Sequence, residues 1–454
     1  MRLIFINRYF HPDYSATSQM LSDLAFALAE RGHCVSILTS RLRYDDPQAV
    51  LPPCETICNV AVNRLWTSRF GRHNLAGRAI DYATFHLSMA WALWRLTRPG
   101  DIVIAKTDPP MLPLLTTPIA HWRGARAVTW LQDLFPEVAE AAGMFEGNLS
   151  WLAATLRWLR RGSLRNADMT VAIGRLMVEK LKHLGVPEER IVFIPNWADC
   201  TLITPREHST NLLRCDWDVD GKFVVAHCGN LGRAHDAKTI LAAIDAVAAA
   251  KPTADIVWIF VGGGAGYQAL RLEVCERDLK NVRFLPYHSR DLLAESLCAA
   301  DVHIVSLLPE FEGLVVPSKF YGIAAAGRPT LFIGDTDGEI ATVLRDAQCG
   351  LTARPGDGPG LASYVLDLAG DIPRCQAMGR RGRDWFEKSY DKSIAVASWC
   401  ELMRSLESGP ARSVAPEPRH SIAVAALRTR APDTTGTSAP APPPARRSAA
   451  SRAP

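Results

Sequence analysis

Twice along this chain, short apolar runs of buried-strand length alternate with segments whose apolar residues recur at helical spacing. That alternation admits little besides parallel sheets covered by helices on both faces. The first round opens with Arg2-Leu3-Ile4-Phe5-Ile6, crosses a turn-rich loop holding His11-Pro12-Asp13, and enters a helical pattern from about Ala16 to Arg31. Leu21, Leu24, Ala25 and Leu28 form its stripe, Gly32 stops it, and the run from Cys34 to Thr39 supplies the next strand. Further strands are expected at 101–105, 127–131, 169–173 and 191–194. A second round starts at Lys222 to Cys228 and continues through 256–261, 282–285, 302–306 and 330–333, before a last helical stretch from about Ile372 to Leu406. With 454 residues the chain can build two such cores. The pattern predicts an α/β protein of two doubly wound domains facing a cleft, at 1–200 and 201–408, joined near Asn196 to Pro205, with the final helix packing back. Ligands of such sheets sit beyond the carboxyl ends of the strands, so the cleft is the expected site.

Beyond Gly409 the composition changes to Ala, Pro, Ser, Thr and Arg, and 409–454 is expected to be a disordered tail, a spacer or an aid to binding anionic lipid. Seven arginines against Glu417 and Asp433 place the net charge of +4 in that tail and leave the rest near neutral. A near-neutral body argues against nucleic acid as a partner. The eleven cysteines show no metal spacing, so no metal site is expected. No signal peptide or membrane-spanning run is visible, which points to a cytoplasmic protein that could meet a membrane only at its surface.

The first strand–helix loop lacks the Gly-x-Gly-x-x-Gly that brings a dinucleotide against a helix, which disfavours an oxidoreductase, and no resident cofactor is expected. Gly262-Gly263-Gly264-Ala265-Gly266 follows a strand and reads equally as a phosphate loop or as a tight turn. Phosphate chemistry gathers elsewhere in the second round. Gly229, Asn230 and Gly232 close a strand and let backbone approach a ligand, with Arg233 next and His235 and Lys238 beyond. Downstream, Pro309 to Lys319 reads as a loop feeding a helix, Ser318 as its cap and Lys319 in its first turn. A cation there opposes the helix dipole, and a bound diphosphate between Lys319 and Arg233 removes the conflict.

Taken together, His11-Pro12-Asp13, Leu28 to His33, Asp133-Leu134-Phe135-Pro136-Glu137, Ile194 to Asp199, Gly229-Asn230-Leu231-Gly232 and Val316-Pro317-Ser318-Lys319-Phe320-Tyr321-Gly322 resemble the retaining glycosyltransferases of family 4 (glycosyl transferases group 1). The resemblance covers residues 1 to about 400 and is strongest to the colanic-acid and O-antigen type enzymes of bacterial surface polysaccharide assembly. It implies the GT-B fold of two Rossmann-like domains, a nucleoside-diphosphate (NDP) sugar as donor, and a lipid-linked saccharide acceptor at the inner-membrane surface. By position it implies that Arg233 and Lys319 bind the diphosphate and that Glu310 holds hydroxyls of the donor sugar, with Glu339 on the next loop of the donor domain. The second acid of the family's Glu-x7-Glu motif is absent: one placement puts Ser318 there, the other Gly322. Gln132 stands where the family has a histidine before the acceptor-side acid.

Asp133, after Val128-Thr129-Trp130-Leu131, is either that acceptor-side acid in the cleft or the opener of a turn. Between Asn148 and Arg165, Trp151, Leu152, Leu156 and Leu159 line one helical face while Arg157, Arg160, Arg161 and Arg165 cluster on another. That pattern fits an interfacial helix on anionic lipid or a helix packed on the sheet. The expected chemistry is metal-independent hexosyl transfer with retention. A nucleotide-sugar 2-epimerase and a non-catalytic scaffold of a polysaccharide assembly complex are the alternatives.

Overall fold

The computed structural model describes residues 1–13, 15–44, 46, 48–71, 75–145, 150–252 and 255–408. The expected disordered tail, 409–454, lies outside them, as do Asn148 and Leu149 of the expected interfacial helix. Eight strands form the first sheet: β1 (Arg2–Ile6), β2 (Cys34–Ser40), β3 (Cys54–Ile57), β4 (Val60–Leu65), β5 (Ile102–Lys106), β6 (Arg126–Trp130), β7 (Met169–Ala172) and β8 (Ile191–Phe193), ordered β3-β4-β2-β1-β5-β6-β7-β8. Six more form the second: β9 (Phe223–Asn230), β10 (Ile256–Gly263), β11 (Val282–Leu285), β12 (Val302–Ser306), β13 (Thr330–Ile333) and β14 (Gly350–Ala353), ordered β11-β10-β9-β12-β13-β14. All pairings are parallel except β3 with β4. Strand order reverses at β1/β5 and at β9/β12, the two places where such sheets open a crevice.

The strands that the apolar runs predict are present, and three others are not evident in the sequence. The β3–β4 hairpin turns on Cys58 and Asn59, with φ of 46° and 62°. A cysteine in that conformation hides the turn, which usually shows itself by glycine or asparagine. Strand β14 is short and begins with Gly350, where a Cβ would stand 2.1 Å from the Thr330 carbonyl oxygen. The single last helix is corrected to two, Ile372–Ser389 and Lys392–Ser408. Tyr390 breaks the run and packs on Trp385 at 4.4 Å, and Asp391 caps the second helix through Ser393 N at 2.9 Å.

The basic face expected on the helix Ser150–Asn166 is mostly committed to internal partners. Arg157 pairs with Glu140, buried Arg160 pairs with Glu137, and Arg161 donates to the Leu184 carbonyl at 2.8 Å. Of the expected apolar face, Trp151 is exposed and Leu152, Leu156 and Leu159 are half-buried.

The helix Lys392–Ser408 returns to the first domain. Its Trp399 meets Phe5 and Trp130 at 6.4 and 4.8 Å, inside a core shared with Leu21, Leu24 and Leu28 of the helix Ala16–Glu30. A separate apolar cluster spans the seam between domains, joining Leu131, Leu134 and Met177 to Phe311, Leu314 and Phe320. Backbone bonds stitch the same seam. Asp133 bridges Val315, and Leu134 N donates to the Leu314 oxygen at 2.9 Å. The salt bridge Arg290–Asp23, at 2.8 Å, adds a polar tie.

Candidate active site

The β9/β12 reversal point is where the second sheet's polar groups converge. Strands β9 and β12 pair only at Val225–Val302 and Ala226–His303. Past that point the strands separate, and the opening admits side chains. His227 Nδ1 donates to the Ile304 carbonyl at 3.2 Å, and His235 Nδ1 donates to the Ser306 carbonyl at 2.6 Å. Both rings therefore turn Nε2 outward as an acceptor. Lys319 enters from the start of the helix Lys319–Ala325, donating to His227 Nε2 at 3.1 Å and to the Asn230 carbonyl at 3.0 Å. Its Cε lies 3.8 Å from where a Cβ on Gly229 would be, so a bare backbone leaves room for the lysine stem.

No carboxylate pairs with this ammonium among the described residues. Burial pushes Lys319 down to about 7, and burial with the neighbouring Lys319 charge pushes His235 down to about 3 and holds His227 well below its usual value. Neutral imidazoles beside a half-buried cation make a pocket with unspent positive charge. The arrangement is suited to accept an anion.

The other expected residues divide. Arg233 is exposed one turn from Asn230 and makes no ion pair among the described residues, so it is free to reach a ligand. Glu310 is exposed on the 309–311 turn. Ser318 does not cap its helix: its side chain makes no cap hydrogen bond and its backbone is already helical, a correction to the sequence reading. Gly262 serves strand packing; at φ 138°, a Cβ there would stand 2.3 Å from the Gly229 oxygen. Glu339 faces the domain seam, where its Oε2 accepts from Leu176 N at 3.0 Å, at the start of the helix Arg175–His183. A Cβ on Gly322 would meet Leu297 at 3.3 Å and Ile203 at 3.8 Å, so a second acid at that position would point into apolar packing.

On the facing domain, Asp133 follows β6 beside Thr107 and lines a small cavity with Met111, Leu114 and Phe135. Burial raises its carboxyl to about 6 against the Thr107 hydroxyl bond, and Oδ1 has no partner. Gln132 Nε2 donates to the Asn196 side chain at 3.2 Å.

Two functional groups escaped the sequence reading. His227 sits inside an apolar strand run and looks like a core histidine; only the strand splay reveals its role. Buried Glu312 accepts from Glu339 N at 3.3 Å, and burial raises its carboxyl to about 7. Gly338 leaves room for this carboxylate, since a Cβ there would lie 2.3 Å from Glu312 Oε1 and displace it.

Two facing Rossmann-like domains with an anion-seeking crevice at the second domain's reversal point define a GT-B sugar-transferring enzyme. The chain belongs to the group 1 glycosyltransferases: the glycosyl transferase 4-like domain matches residues 16–197 and glycosyl transferases group 1 matches residues 222–371. It is 31% identical over 323 residues to the probable glycosyltransferase WbjE of Pseudomonas aeruginosa, covering 68% of this chain and 76% of that protein. WcaI of Escherichia coli (strain K12), a glycosyl transferase named for colanic acid biosynthesis, is 27% identical over 248 residues, 54% of this chain and 59% of its own. Among solved structures, sucrose-phosphate synthase from Thermosynechococcus elongatus superposes with a TM-score of 0.69 at 17% identity, covering 89% of this chain and 99% of its own. Anabaena Alr3699/HepE in complex with UDP and glucose gives 0.66 at 15%, covering 89% and 100%. These likenesses confirm the fold.

Proposed function

We propose that this glycosyltransferase moves a hexosyl group, with retention, from an NDP-sugar to a polyprenyl-diphosphate-linked saccharide during bacterial surface polysaccharide synthesis, at the cytoplasmic face of the inner membrane. The observation that carries the reading is Lys319: a half-buried amine donating to two neutral acceptors, with no carboxylate beside it among the described residues, at the crevice of the reversal point. A donor diphosphate supplies the missing charge. Lys319 and Arg233 then stabilise the leaving group as negative charge develops on it. The acceptor hydroxyl oxygen bonds to the anomeric carbon as the bond to the diphosphate oxygen breaks, and the hydroxyl proton passes to that departing oxygen. Asp133 orients the acceptor from the opposite domain, and Glu310 holds donor hydroxyls. The names of WbjE and WcaI favour glycosyl transfer over the 2-epimerase and scaffold alternatives, and that of WcaI, which carries colanic acid biosynthesis, favours polysaccharide assembly.

The test is calorimetric. Titrating UDP, GDP or dTDP at pH 8 in two buffers of different ionisation enthalpy should reveal about one proton taken up per nucleotide bound, because a diphosphate restores the Lys319 charge. Lys319→Met should abolish the uptake. Binding without proton uptake by the intact protein would remove Lys319 from the diphosphate site.

A further inference from the structure

We propose that the outer face of the helix layer Leu75–Leu96, Pro113–Trp122 and Ser150–Asn166 is the surface by which this protein docks on an anionic lipid bilayer. The inference rests on the membrane-surface reading above and gives it a named face. The long helix Leu75–Leu96 is apolar on two opposite sides. Phe85, Met89 and Leu93 are buried against β2 and β5, while Ile80, Leu87 and Trp91 on the other side are exposed, the last two at 70% and 64%. A helix with apolar residues on two opposite sides calls for burial of both, and the sheet covers only one. Beside it, the exposed Trp122 ends the second helix, and Trp151 and Trp158 stand out from the third at 66% and 72% exposure. Trp94 and Trp122 meet at 4.0 Å, so the layer is continuous.

Charge identifies the partner. The three helices hold a single carboxylate, Asp81, and it is buried and turned inward, binding Ser68, Phe70 and Gly71 and pairing with Arg8. Arg78, Arg95 and Arg165 make no ion pair among the described residues, and Arg95 lies over the Trp91 ring at 5.7 Å. Outward tryptophans interleaved with arginines and stripped of carboxylates match the headgroup zone of an anionic leaflet. A second copy of the chain fits worse, because a two-fold contact would set arginines against arginines. Each helix starts beyond the carboxyl end of a preceding strand, so the face reaches the cleft rim near Asp133. A lipid-linked acceptor held there needs no long excursion from the membrane.

The test uses the full chain and sedimentation with sucrose-loaded vesicles of phosphatidylcholine, alone or with 30% phosphatidylglycerol (a probe composition of about that fraction suffices). The intact protein should bind the anionic vesicles and not the neutral ones. Leu87→Gln with Trp91→Gln should weaken binding about 100-fold, since two large apolar side chains no longer enter the interface. Its melting temperature should be unchanged, because both side chains are exposed in the free protein. Arg78→Gln with Arg95→Gln, which leaves every tryptophan in place, should weaken binding several-fold and flatten its salt dependence. Transfer to a soluble acceptor analogue should survive in both variants, which separates loss of docking from loss of glycosyl transfer. An intact protein that ignores anionic vesicles while transferring to the soluble analogue overturns the docking proposal and leaves the enzymatic reading standing. Variants that bind vesicles as the intact protein does, or that change only the oligomeric state, overturn the choice of face.

Discussion

Replacing Lys319 by methionine should make the empty protein respond to pH in a direction opposite to ordinary loss of a buried contact. In the unfolded chain the amine titrates near ~10.4, and in the fold burial brings it down to about 7. Between those values the unfolded state binds more protons, so the wild-type protein gains stability as pH rises from 7 toward 10. Below pH 7 the fold carries the full penalty of a half-buried ammonium. Each pKa unit is worth about 1.4 kcal/mol, so the shift bounds the penalty at ~4–5 kcal/mol, and partial exposure trims the expected swing to about 2–3 kcal/mol between pH 6.5 and 9.5. Methionine carries no such penalty, but it leaves His227 Nε2 and the Asn230 carbonyl without their donor. That loss costs about 1 kcal/mol each at most, at every pH. The variant should therefore match or exceed wild type at pH 6.5 and fall below it at pH 9.5 in urea unfolding. Its kcat/KM should drop by about two orders of magnitude or more. A stability difference independent of pH, or near-wild-type turnover, would refute the reasoning.

Three further outcomes follow from the same geometry. Asp133→Asn should lower kcat/KM about 100-fold. It should also raise stability at pH 8, because a carboxyl held near 6 in the fold loses stability as pH climbs from about 4 through 6; urea unfolding at pH 4 and 8 checks the sign. Gly262→Ala should cost about 2–3 kcal/mol in the melt, through its left-handed φ and the contact with the Gly229 oxygen. Turnover measured after exhaustive chelation should equal that before it, because the proposed function assigns leaving-group stabilisation to Lys319 and Arg233; recovery that requires added divalent metal would contradict this.

How far the sequence alone could be read depends on whether a signal was local. Apolar runs of four to eight residues mark buried parallel strands, so most strands of both sheets could be predicted, whereas the strand order and its reversal between β9 and β12 had no local signal. Lys319 stood out because a cation in a first helical turn is electrostatically awkward, and the structure keeps that strain while changing its cause from helix dipole to burial. Ser318 misled because capping preference is a tendency of residue type, whereas the bond depends on backbone angles that the preceding Pro317 turn sets. His227 and Glu312 were hidden for a different reason. Each takes its meaning from a strand or helix end far away in sequence, Ile304 for one and Glu339 for the other. The pairing of Arg157 and Arg160 had no signal in the helix itself, because their acidic partners, Glu140 and Glu137, belong to another helix.

The segment between β12 and the helix Lys319–Ala325 links these features into one device. Its first part, at Leu307 and Leu308, is pinned to β13 and to the loop after β9, by Leu307 N to the Ile333 oxygen and Leu308 N to the Ala234 oxygen, both at 2.9 Å. Its middle crosses to the other domain, with Leu314 and Val315 bonded to the backbone of Leu134 and Asp133. Its end delivers Lys319 to His227. Glu312 lies within it and holds the start of the helix Glu339–Ala347, whose Glu339 in turn holds the start of the helix Arg175–His183 across the seam. One stretch of backbone therefore carries Lys319, the contacts to Asp133 and the bonds across the domain seam together. A packed core moves between discrete arrangements and does not deform gradually. If the proposed diphosphate reseats Lys319, the change falls on the same segment that bonds to Asp133, so the two sides of the cleft share one support.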